Sequence, residues 1–298
     1  MISILIPTYN FNIFSMVEAL HKQCTSAAIV FEILVLDDAS TKKNIIEENS
    51  KINLFQNCRY QILNENIGRS KIRNLLAEKA KYNWLLFLDA DTFPSSSEFI
   101  EKYLASFSED ISVVFGGIEY PKNTPENASL RYKYGTNRES LSLQKRLENP
   151  YRSFITMGFA IKKDVFEKIK FNEKLAGYGY EDSVFAFELQ KNKLTLMHID
   201  NPVIHLNLET NEDFIKKSEL ALQNLLNFYK NSAIDVETVK ILKTYSKLKN
   251  LHLLLVVRWV YYISKSQILK NLTSTKPSLF LFDLYRLGYL SSLNAKDA

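Results

Sequence analysis

The chain contains few of the residues that cross-link small folds or form tight turns. Its 298 residues include only two cysteines, eight glycines and seven prolines. Cys24 and Cys58 cannot build a disulfide framework, and neither belongs to a Cys-x-x-Cys pair, so we expect a reducing compartment. The glycine signatures GxGxxG and GxxxxGK[ST] are absent, which argues against a dinucleotide-binding fold and a P-loop enzyme.

Long hydrophobic runs are also lacking. The longest, LHLLLVVRWVYYI at 251–263, contains Arg258 and His252. It falls short of the roughly 20 apolar residues that span a bilayer. The N-terminal MISILIPTYN has no basic segment and too short an apolar run for a signal peptide. We therefore expect a cytoplasmic protein.

Acidic residues are missing from one long stretch, between Thr238 and Phe282. The basic residues of this stretch are Lys240, Lys243, Lys247, Lys249, Arg258, Lys265, Lys270 and Lys276. Apolar residues recur there at helical spacing, at Ile241, Tyr245, Leu248, Leu255, Trp259 and Tyr262. One interpretation is an ordinary helix that packs on the rest of the protein with solvated lysines. The other is docking of 238–276 on an anionic membrane surface, at the inner face of the plasma membrane. No nucleic-acid motif is present, so no nucleic-acid partner is expected.

The first hundred residues alternate short apolar runs with helical patterns. Strands are predicted at 2–7, 31–38, 58–63 and 84–89, and helices at 13–24, 42–53 and 66–80. This rhythm predicts βαβ units, and therefore an α/β fold with a mostly parallel sheet flanked by helices. Further strands are predicted at 113–117, 155–161 and 194–199, and helices at 183–192, 211–230 and 238–270, with a short one after Pro277. The polar, Tyr-rich segment 119–153 is predicted to be a loop or lid.

Acidic residues follow two of the predicted strands. Asp37 and Asp38 end the second strand, and Asp89 and Asp91 end the fourth. Carboxyl ends of parallel strands meet at one edge of a sheet, where ligands bind. Converging carboxylates suit a hard divalent cation, Mg²⁺ or Mn²⁺. Alternate residues of an extended chain share a face, so Asp89 and Asp91 are expected to turn towards one ligand. The alternative for each pair is a helix cap or a turn.

Three further groups of residues are candidates for a functional site, and each also has a purely structural explanation. The stretch 66–69, Asn-Ile-Gly-Arg, is either a turn with a cap or a phosphate or base contact at a helix N-terminus. Glu181 and Asp182 open a helix after a Gly-Tyr-Gly-Tyr loop, where acids stabilise a helix even without a function. His205 follows an apolar run and is either a structural histidine or a third metal ligand.

Five segments together resemble the inverting glycosyltransferases of family 2. They are SILIPTYN, FEILVLDDAST, NENIGRSKIRNLLAEKA, WLLFLDADTFP and GYGYEDSVFAFEL, in the order and at the spacing of that family. The resemblance covers roughly residues 1–206. It implies a GT-A fold with a nucleotide-binding sheet and a helical C-terminal extension. The implied domains are a catalytic domain, 1–208, and a helical, basic region, 209–298. The catalytic domain would divide into a nucleotide-binding half, 1–110, and an acceptor-binding half, 111–208.

The resemblance also implies site residues. Donor-nucleotide contacts are implied for Pro7, Tyr9, Asp38, Gly68, Arg73, Asp89 and Ala90. A divalent metal, Mn²⁺ or Mg²⁺, would be held by Asp91 and His205. Acceptor contacts are implied for Tyr178, Gly179, Tyr180 and Glu181. The catalytic residues would be Asp182, as the general base, and Glu181, through its contact with the acceptor sugar.

The implied reaction moves a hexose or N-acetylhexosamine from a nucleotide sugar, a UDP-sugar above all, to a hydroxyl of a glycan or lipid-linked acceptor in polysaccharide biosynthesis. Two alternatives stay open at this point. One is a nucleotidyltransferase acting on sugar phosphates, which would usually carry a Gly-rich, basic N-terminal loop that IPTYNFN lacks. The other is a catalytically inactive module that binds a sugar nucleotide.

Overall fold

The structure is a computed structural model, and it describes residues 1–122, 125–173 and 179–293. The chain divides into two compact units. The first, called the sheet unit, comprises Met1–Tyr120, Ser140–Glu173 and Glu188–Asn207. The second, called the helical unit, comprises Pro121–Glu139, Lys174–Phe187 and Leu208–Ala298. The sequence-predicted domain boundary at residue 208 stays a prediction.

The N-terminal part of the sheet unit alternates strand and helix, as predicted. Its elements are β1 (Ile2–Thr8), α1 (Phe14–Ser26), β2 (Phe31–Asp37), α2 (Lys43–Ser50), a 3₁₀ turn (Lys51–Leu54), β3 (Cys58–Ile62), α3 (Arg69–Lys79) and β4 (Trp84–Leu88). The strands are rich in Ile, Leu, Val and Phe, and β1, β2 and β4 are buried along nearly their whole length. Such unbroken apolar strands are typical of a sheet that is covered on both faces.

The later elements are shorter and less regular. They are β5 (Thr92–Pro94), α4 (Phe99–Ser106), β6 (Val113–Phe115), β7 (Ile118–Glu119), a 3₁₀ turn (Glu126–Ala128), α5 (Ser129–Arg138), α6 (Leu143–Leu147), β8 (Gly158–Lys162), α7 (Lys163–Ile169), α8 (Glu181–Lys191), β9 (Leu196–His198) and β10 (Val203–His205). Four helices follow, α9 (Asn211–Lys230), α10 (Lys240–Asn250), α11 (Leu254–Leu272) and α12 (Leu279–Leu293).

The large sheet has the strand order β3-β2-β1-β4-β8-β6-β9. The pairs β3–β2, β2–β1, β1–β4 and β6–β9 are parallel, whereas β8 runs antiparallel to both β4 and β6. The mostly parallel α/β prediction is therefore confirmed. The parallel core brings the carboxyl ends of β1, β2 and β4 to the same edge of the sheet, which is where their polar residues were expected to meet.

A second, small sheet has the order β5-β10-β7, and its strands were not predicted. β10 pairs with β5 in antiparallel register, with His205 opposite Thr92, and with β7 in parallel. Each of these strands has only two or three residues, too few for a periodic pattern to show in the sequence. The small sheet matters because it brings His205 to the loop that follows β4.

The loop or lid predicted at 119–153 is wrong for much of its length, since it contains α5 and α6. In the sheet unit, Arg146 of α6 is almost fully buried. Its guanidinium donates to the carbonyls of Leu141, Phe115, Gly116 and Ile199 over 2.9–3.3 Å. A buried cation held by carbonyls fixes this segment in place, because its donors would otherwise be left unsatisfied.

The helical unit has two apolar clusters. One is built from α8, α9, α10 and α12 and includes Val184, Leu225 and Tyr245. The other is built from α5, α9, α11 and α12 and includes Phe214 and Tyr261. The residues predicted to be helical at 238–270 form two helices and not one continuous helix, because α10 ends at Asn250 and α11 begins at Leu254.

No helix in the described ranges combines the length and apolar character that crossing a bilayer requires. The longest apolar stretch of the sequence, 251–263, accordingly begins in the turn before α11 and ends within that helix.

Candidate active site

The ends of β1 and β2 form a hydrogen-bonded corner that contains Pro7, Tyr9 and Asp38. The Asp38 amide donates to the Thr8 carbonyl over 2.8 Å. The Asp38 carboxylate is buried and accepts from two backbone amides, those of Ile67 at 2.7 Å and Gly68 at 3.0 Å. Asp38 thus ties the end of β2 to the loop before α3, while the Tyr9 side chain remains half exposed beside the corner.

The loop that Asp38 holds opens helix α3 at Gly68. Gly68 has φ +84°, in the left-handed region that favours glycine. A Cβ built at this position meets nothing within 4 Å, so the backbone conformation rather than crowding demands glycine there. The exposed Arg69 comes next and begins α3. For 66–69 the sequence left open a turn with a cap or a phosphate or base contact at a helix N-terminus. The amides of Ile67 and Gly68 donate to Asp38, and the phosphate contact stays a prediction.

Asp37, next to Asp38, has a structural role. Its carboxylate accepts from the Tyr60 hydroxyl at 2.5 Å and from the Ser40 amide at 2.7 Å. Burial, followed by this hydrogen bond and the charge of Asp37, raises the pKa of Tyr60 well above its ordinary value. The turn reading was therefore right for Asp37, and its neighbour alone remains a candidate for the donor site.

Asp89 and Asp91, with Ala90 between them, follow β4 but have different partners. Asp89 accepts from Arg73 of α3, whose Nη2 lies 2.5 Å from Asp89 Oδ1. Asp91 instead faces His205 of the small sheet, with 3.3 Å between Asp91 Oδ2 and His205 Nε2. The two carboxylates thus have separate basic partners, and the expectation that both turn towards one ligand stays a prediction.

Arg73 is the more buried partner of its pair. Its side chain is 3% exposed, against 18% for Asp89, and its guanidinium lies 5.2 Å above the Phe171 ring. Nε and Nη1 have no hydrogen-bond partner within the described residues. The backbone holds Asp89 as well: its carbonyl accepts from the Thr92 hydroxyl at 2.7 Å, and its amide donates to Met157 over 2.9 Å. A fixed carboxylate is thus presented at the end of β4.

The Asp91–His205 pair is the best candidate for a metal site. Burial acts to raise the pKa of Asp91, but the hydrogen bond and charge of His205, together with Arg69, outweigh it and bring the pKa below its usual range. The backbone fixes the pair, since the Leu206 amide donates to the Asp91 carbonyl over 2.8 Å. The Tyr120 ring lies edge-on to His205, with 5.5 Å between ring centres.

The chemistry of this donor pair fits Mn²⁺ or Mg²⁺. Carboxylate oxygen is a ligand suited to Mg²⁺ and Mn²⁺, and imidazole nitrogen is a ligand of first-row transition metals. The 3.3 Å separation of the two atoms is near the roughly 3 Å edge of an octahedron whose metal–ligand bonds are about 2.1 Å. No group of three or more His, Cys, Asp or Glu side chains suited to a metal occurs in the part of the chain described. The remaining ligands would therefore have to come from the substrate and water, which is the usual arrangement for a metal that binds a diphosphate.

The predicted acceptor residues lie in the helical unit, except Tyr178, which lies outside the described residues. Gly179 has φ +89°, and a Cβ there would stand 2.5 Å from the Ala221 Cβ on α9. Tyr180, also in the left-handed region, accepts a hydrogen bond from Arg286 of α12, with Nη2 2.7 Å from its hydroxyl. Gly179 and Tyr180, directly before α8, are therefore held by α9 and α12.

Glu181 and Asp182 form the first turn of α8, as predicted. Both side chains are partly accessible. The Asp182 carboxylate accepts from the Ser183 amide over 2.7 Å, and Val184 packs in the apolar cluster of α9, α10 and α12. The helix dipole favours the ionised form of an acid at this end. An ionised, partly accessible carboxylate on an anchored helix is able to accept a proton from an approaching hydroxyl.

Two residues of this arrangement were missed from the sequence. Arg286 is 106 residues from Tyr180 and has no motif around it, so nothing local announces it. Arg69 was noted only as part of the stretch 66–69, either a turn with a cap or a phosphate or base contact, and not as a partner of Asp91, which its charge reaches. A basic residue opening a helix after a left-handed glycine is the signal that could have found it.

Comparison with known proteins adds the family. The family model described as glycosyl transferase family 2 matches residues 3–170. An uncharacterized glycosyltransferase of Haemophilus influenzae is 25% identical over 293 residues, which cover 96% of this chain and 90% of that protein. These matches include the residues of the sheet unit that surround Asp38, Asp89 and Asp91.

Solved structures agree in fold. The mannosyltransferase PcManGT from Pyrobaculum calidifontis, in complex with GDP-Man and Mn²⁺, has a TM-score of 0.60 at 13% identity, over 99% of this chain and 87% of that one. Staphylococcus aureus TarS in complex with UDP-GlcNAc has a TM-score of 0.51 at 20% identity, over 76% of this chain and 66% of that one. At these identities the likeness shows the GT-A fold. With the family model spanning more than half of its length, the chain belongs to glycosyl transferase family 2 and is a glycosyltransferase.

Proposed function

We propose that this glycosyltransferase is metal-dependent and inverting, and that it moves a hexose or N-acetylhexosamine from a UDP-sugar to a hydroxyl of a glycan or lipid-linked acceptor. The observation that carries the proposal is the pairing of Asp91 with His205 at 3.3 Å, beside the ends of the central strands. The two residues are 114 positions apart in the sequence, and the pairing of β5 with β10 in the small sheet brings them together.

The donor nucleotide would occupy the edge of the sheet formed by the ends of β1, β2 and β4. Pro7 and Tyr9 offer an apolar and aromatic surface for the base, next to the buried Asp38. Gly68 leaves open space at the start of α3, where a ribose fits without a side chain in the way. Asp89, fixed by Arg73, offers a carboxylate to the ribose hydroxyls, and Ala90 adds little bulk to the loop.

The diphosphate would lie between Arg69 and the Asp91–His205 pair. Bound there, Mn²⁺ or Mg²⁺ would supply positive charge to neutralise the leaving diphosphate. The protein's part is to hold Asp91 Oδ2 and His205 Nε2 3.3 Å apart, so that the carboxylate and a neutral imidazole would ligate the same ion. Arg69 adds a second positive charge on the side of α3.

The acceptor would be activated by Asp182. This carboxylate takes the proton of the attacking hydroxyl while the oxygen displaces the nucleoside diphosphate from the anomeric carbon in line. A single displacement needs no nucleophilic carboxylate and inverts the anomeric configuration. Glu181, Gly179, Tyr178 and Tyr180 would contact the acceptor sugar, with the tyrosines as stacking surfaces. Association of 238–276 with the inner face of the plasma membrane would bring the enzyme to a lipid-linked acceptor.

The experiment combines a donor panel with two variants. Release of nucleoside diphosphate is measured with UDP-, GDP- and TDP-sugars, with Mn²⁺, with Mg²⁺ and with a chelator. We expect one donor to be hydrolysed slowly in the presence of metal. The Asp182→Asn variant should keep donor binding and lose acceptor-dependent transfer by about 10²–10⁴-fold, the usual worth of a general base.

The matched control is Asp164→Asn, which removes an acid from the first turn of α7 in the same way. It should keep its transfer rate. Wild-type turnover by Asp182→Asn would refute the base assignment, and metal-independent hydrolysis would refute the role of Asp91 and His205.

A further inference from the structure

Helix α11 presents an apolar face to solvent over its first half. Five large side chains of this half are more than half exposed, and a sixth is nearly so. They are Leu255, Val256, Trp259, Val260, Tyr262 and Ile263, and they are called the α11 face below. Single exposed apolar residues are ordinary, but six within nine positions of one helix are an unpartnered surface.

Helical geometry shows that these residues form one surface. At about 100° per residue, the six positions fall within a single sector of the helix. The opposite side is occupied by Tyr261, Ile268 and Leu272, which are buried in the cluster with α5, α9 and α12. The helix is thus anchored by one side and offers the other to a partner.

This face differs from the one the sequence pattern suggested. Tyr245, expected on the same stripe as Trp259, is buried on α10, because the chain breaks between α10 and α11 at His252, which has φ +58°. Farther along α11, the exposed sector changes to Ser266, Gln267 and Lys270. The apolar surface therefore ends after Ile263 and is followed by a polar and basic one.

The surroundings of the α11 face are basic. The stretch from Thr238 to Phe282 has eight Lys and Arg and no acidic residue. Lys247 and Lys249 are exposed in the last turn of α10, directly before α11. Lys243 pairs with an acid just outside the stretch, with Nζ 2.6 Å from a carboxylate oxygen of Glu237. An apolar face bordered by basic residues is complementary to a surface that has an apolar interior and an anionic outer layer.

We propose that the α11 face docks on an anionic lipid surface, with α11 lying in the plane of the membrane interface. Trp259 and Tyr262 are the aromatic residues suited to the headgroup level, and the aliphatic members enter the acyl boundary. Lys247, Lys249 and Lys270 stay at the phosphates. The biological purpose of docking, access to a lipid-linked acceptor, rests on the proposed function. Adsorption of the protein to lipid does not depend on that function.

A second copy of this chain is the competing occupant. A two-fold interface would bring the same surface of both copies together, and with it two copies of the stretch from Thr238 to Phe282, which contains no acidic residue. Like charges at that distance repel, whereas anionic headgroups attract them. Charge therefore favours the lipid surface over self-association.

The test is flotation of the full chain with lipid vesicles, which measures adsorption without turnover. We expect binding to vesicles of phosphatidylcholine with 30% phosphatidylserine at low salt, and a loss of about tenfold or more at 0.5 M salt or without phosphatidylserine. The double variant Trp259→Ser, Ile263→Ser should bind at least about tenfold more weakly. Leu54→Ser is the matched control, because Leu54 is 85% exposed and lies in the sheet unit; it should bind as the wild type does.

Metal-dependent donor hydrolysis in solution is measured on the same samples and should be equal in all of them. This reports folding of the variants and separates a failure of docking from a failure of the proposed function. Absence of vesicle binding at low salt, or full binding by the double variant, would overturn the proposal. A dimer in sedimentation that the double variant abolishes, without vesicle binding, would overturn it in favour of a self-association surface.

Discussion

Substitution of Gly179 by alanine should destabilise the protein through two separable effects. The first is conformational, because φ is +89° and an alanine in the left-handed region costs about 1–2 kcal/mol. The second is steric, because the new Cβ would stand 2.5 Å from the Ala221 Cβ. Overpacking of this kind costs about 1–3 kcal/mol. We therefore expect Gly179→Ala to lower the free energy of unfolding by about 2–5 kcal/mol.

Two further variants isolate the terms. Gly68→Ala has nearly the same φ, +84°, with nothing within 4 Å of the new Cβ, so it should lose only the conformational part, about 1–2 kcal/mol. Ala221→Gly removes the clashing carbon from α9 at a helix-propensity cost of about 1 kcal/mol. Combined with Gly179→Ala it should recover most of the steric part, about 1–3 kcal/mol, although the Ala221 Cα remains 3.2 Å away.

The assay is equilibrium unfolding in urea for the wild type, the three single variants and the Gly179→Ala, Ala221→Gly pair. Additive losses in the pair, with no recovery, would refute the close approach of the acceptor loop to α9. An equal loss of unfolding free energy in Gly68→Ala and Gly179→Ala would refute the steric contribution and leave the conformational one standing. Acceptor-dependent transfer should fall more than donor hydrolysis in Gly179→Ala, since the loop belongs to the proposed acceptor side.

Three other predictions follow from single contacts. His205→Gln should raise the Mn²⁺ concentration for half-maximal donor hydrolysis by at least about tenfold, measured by metal titration, and an unchanged titration would contradict its role as a ligand. His198 accepts at Nδ1 from Arg146 Nη1 (3.2 Å) and donates from Nε2 to the Pro150 carbonyl (3.1 Å); burial, then the Arg146 charge, lowers its pKa from 6.5 to about 4. The neutral imidazole is therefore the native form. Its contribution to the free energy of unfolding, about 3 kcal/mol, is present above pH 6.5 and is lost as the pH falls towards 4. Urea unfolding at several pH values should show this pH dependence of stability, and His198→Asn should reduce it. Arg286→Met, which removes the 2.7 Å bond to Tyr180, should lower kcat for transfer and leave the donor KM unchanged, with partial recovery in Arg286→Lys; a change in donor KM alone would contradict a positioning role on the acceptor side.

The elements that sequence reasoning predicted well are those whose signal is local. β1, β2 and β4 are continuous apolar runs that end in polar residues, and burial on both faces needs nothing more than that pattern. The donor-side candidates at their ends followed, because the topology of a parallel sheet fixes where those ends meet. Asp38 was placed at this edge in this way, and its role in the donor site stays a prediction. Asp37 could not be told from it, because the contacts that distinguish them include distant ones, with Tyr60 for Asp37 and with Ile67 and Gly68 for Asp38.

The elements that were missed have buried polar residues or very short spans. α5 and α6 were predicted as loop because their most buried side chains include Arg131 and Arg146, which a hydrophobic pattern counts as surface. Arg131 lies 5.2 Å from the Phe214 ring and pairs with Glu139 at 3.0 Å. Buried cations that are satisfied by carbonyls, rings or a single acid depend on tertiary contacts, and no local spacing encodes these.

Helix α11 was predicted as a helix but its orientation was not. Between Leu254 and Ile263 it is apolar on nearly every side apart from Arg258, so the pattern gives no direction for the buried face. The choice of Tyr261, Ile268 and Leu272 for the interior is made by the helices against which they pack.

The acidic residues after β4 show how far a motif reaches. The sequence predicts that Asp89 and Asp91 lie at a ligand edge, and both do lie beside the end of β4. The two carboxylates differ in their partners, which lie 16 and 114 residues away: Arg73 for Asp89 and His205 for Asp91. The Asp89 carboxylate is thereby fixed beside α3. The Asp91 carboxylate lies next to an imidazole, at a separation that two ligands of one metal ion can have. Because the two acids are held by different elements, Asp89→Asn should weaken nucleotide binding while Asp91→Asn weakens metal binding, a separation that two acids on one ion could not give.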